Sequence, residues 1–353
     1  MANPVVHEIV SNVDTIIVLR NPAVHFAEWV SPERLAFIEA VFKRSAIERL
    51  EAEAKPLEEE GIYFHVCSGN LMSASPWFNR VLKKDGWMEA YPNAEDRRFR
   101  ITAEDWDEEA FVILMNIFHL RNREVPRTVT LEMLAKIAVL ADYYECTESI
   151  ELFTDIWITH LRAKVAIPTT YCRDLILWIW VSWVFKSGDP FREATAVAIK
   201  QNTRAVADLG LPIPPTVTYE IDLKRCQAIE AVISRLHEQL DEYRSATYTC
   251  PYGDNYSFRC SSMLLGALTK EMDSANILLP QPEVPFFGLS FDGICGKMGS
   301  LQSMEWSPDY RASSHACDLQ EKVQIMIGNV LGGTEGLSLT LKDAVNRDGK
   351  GKI

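Results

Sequence analysis

An α+β fold is predicted for the first part of this 353-residue chain, followed by a mainly α-helical C-terminal region. Two short alternating stretches carry the strand half of that expectation. Phe64 and Val66 alternate with His65 and Cys67, and Phe99 and Ile101 alternate with arginines, the period of a strand with one buried face. The helical half rests on the segments between Asp107 and Lys200, where apolar residues recur at helical spacing between short turn-forming breaks.

Taken in order, residues 1–13 carry a small apolar cluster, Val5-Val6 and Ile9-Val10, that reads as a terminal arm. Ser31-Pro32 then starts a helix with Leu35, Ile38, Val41 and Phe42 on one face, and Glu48, Glu51, Glu53, Glu58, Glu59 and Glu60 outnumber Arg49 and Lys55 behind it. A charge run of this kind is a solvated face or loop, so residues at about 27–60 are expected to be a helical, acidic insertion. After the strand at Phe64, Leu71 and Met72 lie one turn on. Ser75-Pro76 is a helix start, because a serine oxygen caps free amides and proline suits the first helical position. Trp77, Phe78, Val81 and Leu82 form one apolar face behind it. Asp105 with Glu108 is the expected capping pair of a helix over 107–120, and a further helix covers Thr130–Tyr144. Helices follow over Ile150–Arg162, Tyr171–Lys186 and Pro190–Lys200. The second contains the run Leu175–Phe185, eleven residues long and apolar all round. A membrane span needs about 20, so this is a core helix. Leu211-Pro212-Ile213-Pro214-Pro215 is the clearest break. Cys226, Ile229, Ile233, Leu236, Leu240 and Tyr243 then repeat at alternating three and four, a seam too short for a coiled coil and expected to pack on its own chain. Beyond Cys250, Ser261–Met272 and Asp318–Leu331 read as helices on either side of a proline-broken stretch.

A composition 47% hydrophobic and 24% charged can bury a core, and a net charge of −13 argues against nucleic acid as the main partner. The first residues lack the cationic flank and apolar centre of a signal peptide. The expected location is therefore the cytoplasm, the nucleus or both, and the eight cysteines are expected to be thiols or metal ligands.

The order strand, short helix, Ser75-Pro76-Trp77-Phe78 resembles the heart of a BTB/POZ domain. Three more blocks share the resemblance in the right order: Asp14-Thr15-Ile16-Ile17-Val18-Leu19 as the early strand, the helix from Asp107, and the helix ending Leu140-Ala141-Asp142-Tyr143-Tyr144. Tyr171–Phe185 and Ser261–Lys270 are similar to a fungal branch of that family. The resemblance implies a small sheet capped by a helical cluster, no enzymatic activity, and function as a protein–protein interaction module. On this reading a BTB/POZ domain spans 1–161, a helical extension 162–245 with its Pro-rich break at 211–215, and a smaller C-terminal module 246–353. The implied partners are proteins: a cullin scaffold of a ubiquitin ligase, for which this would be an adaptor, or a second copy in a homodimer. Members that recruit cullin often carry a hydrophobic-x-Glu motif after the helical hairpin, and Trp87-Met88-Glu89 is similar to it. Tryptophan there serves as an interface anchor, or folds back on its own domain. Cys67-Ser68 replaces the family's usual His-Lys, which puts the co-repressor groove of animal members in doubt.

Cys250, Cys260, His315 and Cys317 are the candidate metal ligands, since three thiolates and an imidazole suit structural zinc and His315-x-Cys317 on extended backbone points both side chains one way. The fungal branch pairs cysteines at the first position, but Tyr256 stands where the nearer one is expected, so Cys250 substitutes or the site is incomplete. The competing reading is a set of half-buried reduced thiols. Catalytic patterns fare worse: no Gly-x-Ser-x-Gly elbow is present, and His119 with Cys146 is the one pair that a cysteine-dependent enzyme could use.

Overall fold

The computed structural model describes residues 5–23, 25–29, 61–83, 91–301 and 317–339. The chain divides into two compact units, one formed by Met1–Ile167, Cys172–Ser187 and Leu209–Pro212, the other by Pro168–Tyr171, Gly188–Asp208 and Ile213–Ile353. The architecture is α+β, with one small mixed sheet and mostly helical content. Most of the expected insertion at about 27–60 lies outside the described residues.

The first unit holds strands β1 (Val6–Glu8), β2 (Thr15–Arg20), β3 (Ile62–Val66) and β4 (Phe99–Glu104). Their order is β1-β3-β2-β4. The central pair β2/β3 is antiparallel, with Thr15 opposite Val66 and Leu19 opposite Ile62. β4 joins β2 in parallel, Thr15 opposite Phe99, and β1 joins β3 in parallel, Val6 opposite Tyr63. The alternation expected at Phe64 and Val66 is present: Ile62, Phe64 and Val66 point into the core, while Tyr63 and His65 are half-buried. The terminal arm around Val6 is thus an edge strand of its own sheet.

Helices α1 (Ser68–Ala74) and α2 (Pro76–Val81) follow β3 as a tight hairpin. The start of α1 is held by a residue far back in the chain. Asp14 accepts hydrogen bonds from the Ser68 amide at 2.7 Å and the Ser68 hydroxyl at 2.6 Å. Ser75 caps α2, accepting from the Phe78 amide, and its hydroxyl donates to the Tyr144 carbonyl at 2.6 Å. Phe78 stacks on Tyr144 with ring centroids 4.8 Å apart, and both are buried. Helix α3 (Glu108–Phe118) is capped by Asp107 rather than by the expected Asp105. Asp105 is instead spent ending β4: its amide donates to the Arg20 carbonyl and its backbone turns left-handed at φ 62°. Asp107 serves two elements, accepting from the Ala110 amide with one oxygen and pairing with Lys136 of α4 (Leu131–Tyr143) at 2.8 Å with the other. Thr130 caps α4. After α5 (Thr147–Lys164) comes α6 (Arg173–Val184), in which every residue from Leu175 to Val184 is buried. It packs on α4, and the Trp180 indole donates to the Ala135 carbonyl at 3.3 Å. The run apolar on all sides is therefore a core helix, and among the described residues no helix is long and apolar enough to cross a membrane.

The second unit contains α7 (Gly188–Gln201), α8 (Pro215–Arg244), α9 (Ser257–Ser274), α10 (Phe291–Gly299) and α11 (Leu319–Leu331). The seam read on α8 is covered by its own chain: Ile229, Ile233, Leu236, Leu240 and Tyr243 are buried in one cluster with Leu264 and Leu268 of α9, Phe291 and Ile294 of α10, and Val323 of α11. Helix α8, assigned from sequence to the extension, shares this core with the residues beyond 246. Arg225, 1% exposed, is held in it by donating to the Pro285 carbonyl at 2.7 Å.

Two predictions follow from the first unit, which contains eight of the nine tryptophans, so that indole fluorescence reports on it. Asp14→Ala should lower its stability by about 2 kcal/mol, the scale of charge-assisted bonds lost at a helix start, seen as an earlier urea transition in fluorescence. His119 is buried, donates from Nδ1 to the Met115 carbonyl and accepts from the Cys67 amide at Nε2. Burial is the leading cause that holds its imidazole below the ordinary histidine range. A depressed pKa means the unfolded chain takes up the proton first, so this contribution is complete above about pH 6.5 and is lost as pH falls below it. Urea midpoints measured between pH 7.5 and 5.5 should fall in the wild type, and His119→Gln should flatten that fall.

Candidate metal centre

Three thiols converge where the C-terminal end of α8, the turn after it and the starts of α9 and α11 meet. Cys250 sits in a turn closed by the Gly253 amide on the Cys250 carbonyl, with Gly253 at φ 126°, a conformation that suits glycine. Its own amide donates to the Ser257 hydroxyl at 3.0 Å, which ties the turn to the first residue of α9. Cys260 is one turn further along α9, and Cys317 immediately precedes Asp318, the N-cap of α11. The first turn of α9 and the residue before the cap of α11 thus supply two of the three thiols.

The three sulfurs lie within 4.8 Å of one another, with Cys250 Sγ and Cys317 Sγ 3.9 Å apart. A disulfide needs about 2.05 Å, and none is formed among the described cysteines. Two thiolates on a tetrahedral metal at about 2.3 Å from each sulfur stand about 3.8 Å apart, so the observed edge matches that arrangement. Cys250 is 4%, Cys260 0% and Cys317 9% exposed. Burial raises the Cys260 and Cys317 thiols above their ordinary range, so the sulfurs carry protons unless a cation takes their place. The cluster can hold a metal ion.

Of the four ligands expected from sequence, the structure brings together Cys250, Cys260 and Cys317, while His315 lies outside the described residues. Trp87, Met88 and Glu89, the expected partner-binding residues, also lie outside them. Two tyrosines beside the cluster were not expected to belong to it. The Tyr248 hydroxyl is 3.5 Å from Cys260 Sγ, and Tyr243 packs edge-on against Tyr248 with centroids 5.7 Å apart. Tyr243 had been legible as the last residue of the α8 seam, and Tyr248 stands two before Cys250 on a turn that no periodicity marks. The remaining cysteine pairing considered, Cys146 with His119, gives nothing comparable. Cys146 is 1% exposed with its thiol pushed far up by burial, and both His119 nitrogens are engaged by backbone groups.

No protein-family model matches the chain, and no curated protein matches it.

The cluster predicts that purified protein carries about one equivalent of a thiophilic divalent ion per chain. Elemental analysis should find it in the wild type, and Cys260→Ser should retain less than about a tenth of it.

Proposed function

We propose that the chain is a non-enzymatic protein–protein interaction protein built on a BTB/POZ domain, acting as an adaptor or scaffold. The observation that supports it best is that the separate stretches carrying the resemblance touch one another. Asp14 of the early strand binds Ser68 at the head of the helical hairpin. Ser75 of the Ser-Pro-Trp-Phe stretch binds Tyr144 at the end of the Leu-Ala-Asp-Tyr-Tyr stretch, and Phe78 stacks on it. Contacts of this kind are what one domain signature spread along the chain would make, and a set of chance matches has no reason to make them.

In this reading the protein recruits clients to a cullin ubiquitin ligase. Trp87, Met88 and Glu89 form the docking motif by their sequence resemblance, with the tryptophan filling a pocket on the cullin. The metal of the second unit would be zinc, held by Cys250, Cys260 and Cys317, with His315 as fourth ligand by its sequence pattern alone. A closed set of four protein ligands makes its role structural: it ties the turn after α8 to the starts of α9 and α11.

Calorimetric titration with the N-terminal domain of cullin-3 tests the adaptor assignment. Binding by the wild type that weakens at least tenfold in Trp87→Ala is the expected result; a tenfold loss corresponds to about 1.4 kcal/mol. Binding by neither protein overturns the cullin role. A dimer in light scattering without cullin affinity would then identify a self-associating scaffold.

A further inference from the structure

The Tyr243 hydroxyl is a buried donor that the surrounding side chains and backbone leave unused. The residue is 2% exposed and, among the described residues, its oxygen has no hydrogen-bond partner. A buried polar group left unmatched costs about 1–3 kcal/mol, so such a group in a well-packed core points to an absent acceptor. The residue belongs to the same buried cluster as Cys250, Cys260 and Cys317, and its ring packs edge-on against Tyr248. A protonated thiol is a weak acceptor, whereas a thiolate held on a metal is a strong one. Tyr248 adds a second hydroxyl, 3.5 Å from Cys260 Sγ, which is an ordinary length for a bond to sulfur. The Lys322 ammonium sits 5.5 Å from the centre of the Tyr243 ring, where positive charge draws density from the ring and strengthens the hydroxyl as a donor. Three thiolates around a divalent ion carry a net negative charge in a buried site, and two hydroxyl donors and one ammonium are the groups that offset it.

We infer that Tyr243 and Tyr248 are positioning residues of the metal centre, donating hydrogen bonds to the metal-bound sulfurs of Cys260 and Cys317 and thereby setting how tightly the ion is held and how slowly those sulfurs react. This rests on the metal reading above. It also assigns the cluster a graded property: hydrogen bonds to thiolates lower their nucleophilicity, so the two hydroxyls shield the site from electrophiles as well as holding the ion.

The test uses full-length wild type, Tyr243→Phe and Tyr248→Phe. Cobalt(II) uptake is read from the sulfur-to-cobalt charge-transfer band, zinc affinity by competition with a fluorescent chelator, and reactivity by zinc release on iodoacetamide treatment. Each variant should bind one ion about tenfold or more weakly than wild type, with a shifted charge-transfer band and faster release. Tyr243→Phe has a second signature that a merely structural tyrosine would not share. Deleting the unmatched hydroxyl should leave the melting temperature of the metal-free protein unchanged or raised while lowering that of the zinc-loaded protein. Wild-type affinity, band and release rate in both variants would overturn the tyrosine inference and leave the metal reading standing. No cobalt band and no retained zinc in the wild type would overturn the metal reading, and this inference with it.

Discussion

Helix starts buried in a compact domain must find acceptors for amides that no helical carbonyl can serve, and the first unit meets this demand largely with side chains that come from, or reach to, distant parts of the chain. Asp14, at the head of β2, accepts from Ser68 at the start of α1, so the sheet and the helical hairpin are fixed by one carboxylate. Ser75 satisfies the start of α2 and, with its own proton, the carbonyl of Tyr144 at the end of α4. Asp107 caps α3 and binds Lys136 on α4. Each cap is thus also a long-range tie. Phe78, Tyr144 and Phe111 are buried in the space these ties enclose, and stacked and tilted ring contacts link them. Removing one cap would unsatisfy an amide and loosen the junction of two elements together.

The second unit is built around a different constraint, the long helix α8. Its buried stripe collects residues from α9, α10 and α11 into one core. A charged group, Arg225, is tolerated there because its guanidinium donates to the Pro285 and Leu289 carbonyls, so the proline-broken segment is held by its backbone. At the far end of the same helix the apolar core gives way to the thiols and to Tyr243 and Tyr248. Three sulfurs this close, without a disulfide, form a set that can hold a metal ion.

Much of the first unit could be read directly. The strand at Phe64, the helix start at Ser75-Pro76, the cap at Thr130 and the all-round burial of the tryptophan-rich helix follow from period, capping chemistry and length, which are local properties. The cap of α3 was misplaced by two residues because Asp105 and Asp107 look equally suitable in sequence, and the choice is made by where β4 ends against Arg20. Tyr248 could not be placed beside the thiol cluster for a similar reason: nothing local distinguishes a tyrosine on a turn from one that meets a cysteine further along the chain.

By itself, then, the sequence determined which stretches become strands or helices, which helix is buried on every side, and which residue types are fit to bind a metal, since these depend on side-chain chemistry and neighbours within a few residues. Only the tertiary structure decided the strand order β1-β3-β2-β4, that Asp14 meets Ser68, and that Cys250, Cys260 and Cys317 converge with Tyr243 and Tyr248 beside them. Those outcomes depend on contacts between residues tens of positions apart, whose geometry is set by the packing of whole elements and leaves no periodic trace along the chain.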